Sequence, residues 1–226
     1  MNDVLEILDY LKTFENKANQ EAMKRFGIAS ETALGINIPI LRNVSKLIKK
    51  NHEVSLELWQ SDIHEAMILA SMIAEPKKVD SQMMDAWTAK FYSWDLCDQV
   101  CKNLFQKTDF FIEKAFEYSF AKEEFVKRTG FVLMVEYTVH HKNKSDEMCL
   151  NFLNRIEEEA WDERNFVKKA VNWSLRQIGK RNKYLHPIAL QTAYNIKQQN
   201  SKSAKWIAQN AIQELESEAV KRRLKL

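Results

Sequence analysis

Apolar residues recur along this chain at steps of three and four from one end to the other, the period of helices that bury one face. Val4, Leu5, Leu8 and Leu11 form the first stripe. Pro39 stands where a first-turn proline would, opening a helix that carries Ile40, Leu41, Val44, Leu47 and Ile48. Asp62 with Glu65 three residues later reads as a capping box ahead of Ala66, Ile68, Leu69 and Ile73. That helix should stop before Pro76. Asp80 then caps a helix through Trp87, and Ser93 caps the next. Further helices are expected over 110–118, 123–140, 147–160, 163–180, 187–198 and 204–218. Gly179 falls near a helix end, where glycine often leaves the helical conformation.

The pattern amounts to about a dozen helices joined by short polar loops, with no linker-like segment. Helix pairs recur loosely at roughly the 40–47 residue spacing of HEAT repeats, and stacked pairs of that kind make a solenoid with a concave face. A compact helical globule fits the periodicity equally well. Composition excludes other classes. The chain of 226 residues is 45% hydrophobic and holds only 4 Gly and 3 Pro, too few turn residues for an all-β fold. No apolar run approaches a membrane span. The amphipathic, acidic start Met1-Asn2-Asp3-Val4 does not read as a secretory leader. Cys97, Cys101 and Cys149 are odd in number and read as buried thiols, and the five histidines show no zinc-type spacing. No metal and no cofactor is expected.

The net charge of +3 matters less than its distribution. Between Arg164 and Lys183 lie Arg164, Lys168, Lys169, Arg176, Lys180, Arg181 and Lys183, without a single acid. On a helix Lys169, Trp173, Arg176 and Lys180 share one face, while Val167, Val171, Ser174 and Ile178 share another. One side is oily; the other sets cations around an indole. Such a face suits a phosphate backbone, and it is equally a solvated basic face with a tryptophan packed on its neighbour. In Ser93-Trp94-Asp95-Leu96-Cys97-Asp98, Trp94 and Asp98 stand one helical turn apart. Asp95 falls in the first turn, where an acid favours the helix dipole and so serves structure. Arg128 sits inside the otherwise apolar Phe125–Leu133 stretch, where an arginine snorkels, pairs with a buried acid or faces a cleft.

Together these segments resemble the AlkD-type, HEAT-like repeat family of DNA alkylation-repair glycosylases. Trp94-Asp95-Leu96-Cys97-Asp98 is similar to the family's Trp-Asp-x-x-Asp. Lys127-Arg128 is followed by small and apolar residues as in the family, and Phe166 through Arg176 carries the phenylalanine, the lysine-alanine pair and Trp-x-Leu-Arg. Gly35-Ile36-Asn37-Ile38-Pro39, with Arg42, fits the family's Gly-Ile-x-x-Pro opening. The resemblance runs in order from about residue 20 to 185. One element departs: the family's N-terminal cleft tyrosine has no counterpart in Glu21-Ala22-Met23-Lys24-Arg25-Phe26, so bulky adducts do not follow from the resemblance.

The resemblance implies an all-α, right-handed HEAT-like repeat solenoid with a concave basic cleft, spanning residues 1–226 as one domain. It makes Asp98 the catalytic carboxylate, with Trp94 and Trp173 as aromatic walls around the lesion's deoxyribose and Arg128 on the phosphate beside it. Lys169, Arg176, Lys180 and Arg181 would hold duplex DNA. A cationic alkylpurine such as 7-methylguanine or 3-methyladenine is already a good leaving group. The protein therefore has to stabilise an oxocarbenium-like sugar, for which a fixed carboxylate and indole faces are suited. The expected activity is monofunctional base release from alkylated duplex by a monomer, in a bacterial-type cytoplasm at the nucleoid. Rival readings are a HEAT-like protein that binds distorted or branched DNA without catalysis, and a protein-binding solenoid.

Overall fold

Short polar side chains open many of the helices. Asp3, Asn16, Asn37, Asn51, Asp80, Ser201 and Ser217 each accept a hydrogen bond from the amide three residues ahead, satisfying a donor that the first turn leaves without a helical partner. The computed structural model describes residues 3–28 and 31–226, and the Met1-Asn2 part of the N-terminal reading lies outside them. Among the described residues the secondary structure is entirely helical. The chain divides into two compact units, Met1–Phe110 and Phe111–Leu226.

The first unit holds α1 (Val4–Lys12), α2 (Lys17–Arg25), α3 (Ile38–Ile48), α4 (His52–Gln60), α5 (His64–Ile73), α6 (Ser81–Ala89) and α7 (Trp94–Asn103). The α5 helix is its centre: Glu65 through Ser71 are all buried, and α3, α4 and α7 pack around it. Trp59 of α4 stacks on Trp87 of α6 with centroids 4.0 Å apart and planes nearly parallel. Each of those buried indoles contributes about 2–3 kcal/mol or more by removing apolar area from water. Pro39 lies in the first turn of α3 as expected, and α5 ends at Ile73, before Pro76.

The capping box expected at Asp62 and Glu65 is not formed. Ile63 occupies the cap position without a side-chain bond, and Asp62 adopts φ 55°. Glu65 turns inward, where its buried carboxylate accepts from the amides of Leu34 (2.7 Å), Gly35 (2.7 Å) and Ile36 (3.1 Å). An acid three residues from a polar residue was the right residue pair for the wrong partner. Gly35 takes φ 74°, and an added Cβ would collide with the Asn16 carbonyl oxygen. The Gly-Ile segment is thus a folded loop clamped by a carboxylate from α5.

The second unit holds α8 (Phe111–Ser119), α9 (Glu124–His140), α10 (Glu147–Glu159), α11 (Asn165–Gly179), α12 (Leu185–Lys197), α13 (Lys202–Leu215) and α14 (Glu218–Leu224). Here the loose recurrence becomes regular. Phe125 and Phe166 stand 41 residues apart as the second residues of α9 and α11, and Trp206, 40 residues further on, lies in the second turn of α13. These three helices pack in series, α9 on α11 and α11 on α13. A repeat of this length is the HEAT period. Gly130 lets α9 approach α8, since a Cβ there would lie 2.5 Å from the Ser119 amide nitrogen. Gly179 does the same against Leu215 of α13 and keeps helical dihedrals, so its role is close packing rather than chain exit.

Two helices escaped the periodicity for visible reasons. α2 buries none of its residues, so it carries no apolar stripe, and α14 is only seven residues long. α4 carries local signals of its own, with Asn51 as cap and Val54, Leu58 and Trp59 buried.

Candidate functional site

The start of α7 is held by side chains on both sides of its first turn. Asp95 receives the Ser93 hydroxyl on Oδ1 at 2.7 Å, and its Oδ2 meets Nε2 of the buried His64 at 2.8 Å. The other ring nitrogen of His64 is 2.6 Å from the Tyr92 hydroxyl. Burial pushes the Asp95 carboxyl upward. The bonds and charge interaction with His64, the Ser93 hydroxyl and the Leu96 amide outweigh it, holding the group below its ordinary 3.8. An ionised carboxylate only accepts, so Nε2 carries a proton; in a neutral ring Nδ1 then accepts from Tyr92. Asp95 therefore serves the helix start through a specific network, beyond the dipole effect expected for it.

That network fixes what Trp94 and Asp98 can do. Trp94 is half-buried, and its indole Nε1 donates to the Phe26 carbonyl at 2.9 Å, tying α7 to the end of α2. Asp98 follows one turn later, half-buried, on the same face of the helix. Phe26 itself is 68% exposed beside this indole. In sequence the stretch 21–26 shows only the lack of a tyrosine. Phe26 could be placed next to Trp94 only once the α2 end was located.

In the second unit Arg128 is buried, and its guanidinium donates to the Phe166 carbonyl at 2.7 Å, joining α9 to the first turn of α11. Lys127 next to it is buried between Glu159 (2.7 Å) and Asp162 (3.4 Å). Along α11, Lys169 is exposed and Trp173 half-buried. Their spacing predicts one open cationic face shared with Arg176 and Lys180. The structure changes that picture: Arg176 Nη1 and Lys180 Nζ each bond one oxygen of Glu214, a carboxylate supplied by α13. Burial pushes Glu214 upward, and the two cations pull it net below the usual carboxylate range. One turn earlier Asn172 donates to Asn210 at 2.8 Å, so the α11–α13 seam is a polar ladder. The acid-free stretch is acid-free only in sequence.

Arg181, the next cation along the chain, has a different set of acceptors. Its guanidinium closes the end of α9, bonding Asp146 (2.8 Å) and the carbonyls of Thr138 (2.8 Å), Lys144 (2.9 Å) and His141 (3.2 Å). With its side chain 3% exposed, it holds the α9–α10 connection. Nothing in its local sequence distinguished it from Lys180. Its acceptors lie 35 to 43 residues away in the chain.

The three cysteines are buried thiols. Among the described residues no group of His, Cys, Asp or Glu could hold a metal ion, and no helix is long and apolar enough to cross a membrane.

With this geometry in hand, known proteins supply a frame. The fold matches a solved structure from a family of proteins related to the HEAT-like repeat DNA glycosylases with affinity for branched DNA structures. The TM-score is 0.82 at 21% sequence identity, over 98% of this chain and 96% of that one. The helical architecture is therefore the HEAT-like repeat fold. An uncharacterized protein of Listeria innocua, Lin0241, is 22% identical over 193 residues, 85% of this chain and 81% of that protein. The pattern of the DNA alkylation repair enzyme family matches residues 7–215, nearly the whole chain. The chain belongs to the DNA alkylation repair enzyme family.

Proposed function

We propose that this protein is a monofunctional DNA glycosylase that releases cationic alkylpurines from duplex DNA, its 226 residues working as one repeat domain. The observation that carries the reading is the held turn of α7. A half-buried carboxylate, Asp98, lies one turn from an indole whose orientation is fixed by the Phe26 carbonyl, on a helix locked by Asp95 and His64. A cationic base leaves without protonation, and the deoxyribose it leaves acquires positive charge at C1′. A carboxylate in a fixed position stabilises that charge without reorganising, and it orients the water that completes hydrolysis. The Trp94 and Trp173 faces add cation–π attraction of about 0.5–2 kcal/mol each. Arg128 would meet the phosphate beside the lesion, and Lys169 would meet the backbone farther along. Lys127 is engaged by Glu159 and Asp162, so it is not assigned as a nucleophile, and an abasic site without strand cleavage is the expected product.

A second reading is supported by two observations. The matched structure comes from a family with affinity for branched DNA, and Glu214 offsets part of the cationic surface that a long duplex would use. In that reading the protein holds branched DNA without cutting the glycosidic bond. One experiment separates the two. Incubation with methylated duplex, followed by chromatography of freed bases, should yield 7-methylguanine and 3-methyladenine. Absence of any released base, with tight binding to a four-way junction, would replace the first reading by the second.

A further inference from the structure

Glu214 stands where its own helix does not favour it. It lies in the last turn of α13, at the negative end of the helix dipole, where a cation would be the stabilising choice. Its two oxygens are divided, one to Arg176 Nη1 and one to Lys180 Nζ. That leaves a third donor unmatched. Arg176 Nε is buried and has no hydrogen-bond partner, an uncommon state for an N–H donor. Two donors thus take up both oxygens of Glu214, and a third donor on the same guanidinium is left without an acceptor. All three side chains still reach solvent, with Arg176 27%, Lys180 14% and Glu214 29% exposed.

A tetrahedral phosphate differs from a carboxylate in the way this arrangement lacks. It can take an arginine side-on through Nη and Nε together, while another of its oxygens meets the lysine. We infer that Arg176 and Lys180 form a phosphate site that Glu214 occupies in the free protein, and that a DNA backbone phosphate displaces its carboxylate. The inference rests on the DNA-binding reading and adds its regulation. The internal carboxylate lowers affinity for any stretch of duplex, so that binding depends on additional contacts made at a lesion or a distortion. Only ion pairs are exchanged; no covalent step is involved.

The test is the salt dependence of DNA affinity for the parent and Glu214→Gln, which keeps the shape and removes the charge. Each phosphate contact contributes a slope of about −0.9 in log K against log salt. The variant should bind undamaged duplex more tightly at low salt, with a slope steeper by about one to two contacts. Because Gln also weakens the α11–α13 seam, thermal melting must show the variant folded. The triple variant Glu214→Gln with Arg176→Ala and Lys180→Ala should lose the gain, which a general change in charge would not do. A folded Glu214→Gln whose slope and affinity equal the parent's overturns the inference while leaving DNA binding intact. If neither protein binds duplex or junction DNA at any salt concentration, the DNA-binding reading falls and the inference with it.

Discussion

The first turn of α7 and the last turns of α11 carry the same kind of residue pair, an ionisable group beside a tryptophan one turn or less away. They are organised differently. At α7 the polar contacts come from α5, from the neighbouring Ser93 and from the Phe26 carbonyl 68 residues away, and they bear on Asp95 and on the Trp94 indole nitrogen. At α11 the contacts come from a helix a full repeat away and act on the functional groups themselves, with Glu214 on Arg176 and Lys180. The comparison teaches that a residue's availability is set by which neighbour the fold brings to it. Residue type alone does not show it.

The largest expected effect tests the α7 half. Asp98→Asn keeps size and hydrogen-bonding capacity and removes the negative charge. Release of 7-methylguanine should fall by roughly a hundredfold or more, the loss of about 2.7–4 kcal/mol from one preorganised electrostatic group, while lesion DNA binds as well as before. Equal rates of release by parent and variant would remove Asp98 from the mechanism.

Next in size is a change that should act through packing alone. Gly130→Ala places a Cβ 2.5 Å from the Ser119 amide nitrogen and 2.8 Å from the Ala115 carbonyl, both backbone atoms that cannot swing aside. The α8–α9 pair must separate, at a cost of about 1–3 kcal/mol, visible as a lower denaturant midpoint. A neutral or stabilising result would contradict the close approach.

Asp95→Asn sharpens the distinction between holding and reacting. It should cost about 1–2 kcal/mol of stability at neutral pH and little in rate per folded molecule. The sign with pH follows from the depressed carboxyl. Because the folded group titrates below its ordinary 3.8, its contribution is present above that value and is lost as pH falls through the lower, folded value. Parent and variant should therefore converge in stability below pH 3.8 and differ by a constant amount above it. A gap that persists unchanged into strong acid would show that the ionised form is not what Asp95 contributes.

The smallest effect divides the cations of the second unit. Lys169→Ala should weaken duplex binding uniformly across sequences and reduce the salt slope by about one contact. Arg181→Ala should leave the slope unchanged and instead lower the melting temperature, because it removes the bonds that close the end of α9. A slope that falls in the Arg181 variant and not in the Lys169 variant would reverse the assignment of the two.

The helical class, most helix boundaries and the family were legible in the chain alone, because these depend on local periodicity, on turn residues and on motifs in order. The predicted spans at 123–140 and 147–160 end within one residue of α9 and α10, since the spacing of apolar residues is a property of neighbouring residues. The positions of Trp94 and Asp98 one turn apart were fixed in the same way. Tertiary structure alone decided the partners of charged groups. Glu65 turned from its own helix start to the 34–36 loop, Arg181 closed the end of α9, and Glu214 reached Arg176 and Lys180 from 38 and 34 residues away. The repeat itself hid for a related reason. Phe125 and Phe166 keep the same place in two helices and Trp206 falls one turn later in the third, while most residues around them differ. A HEAT repeat conserves shape and burial at each level of the stack, and many sequences satisfy both. Which charges meet across the stack is set by long-range packing, and no local pattern in the chain encodes it.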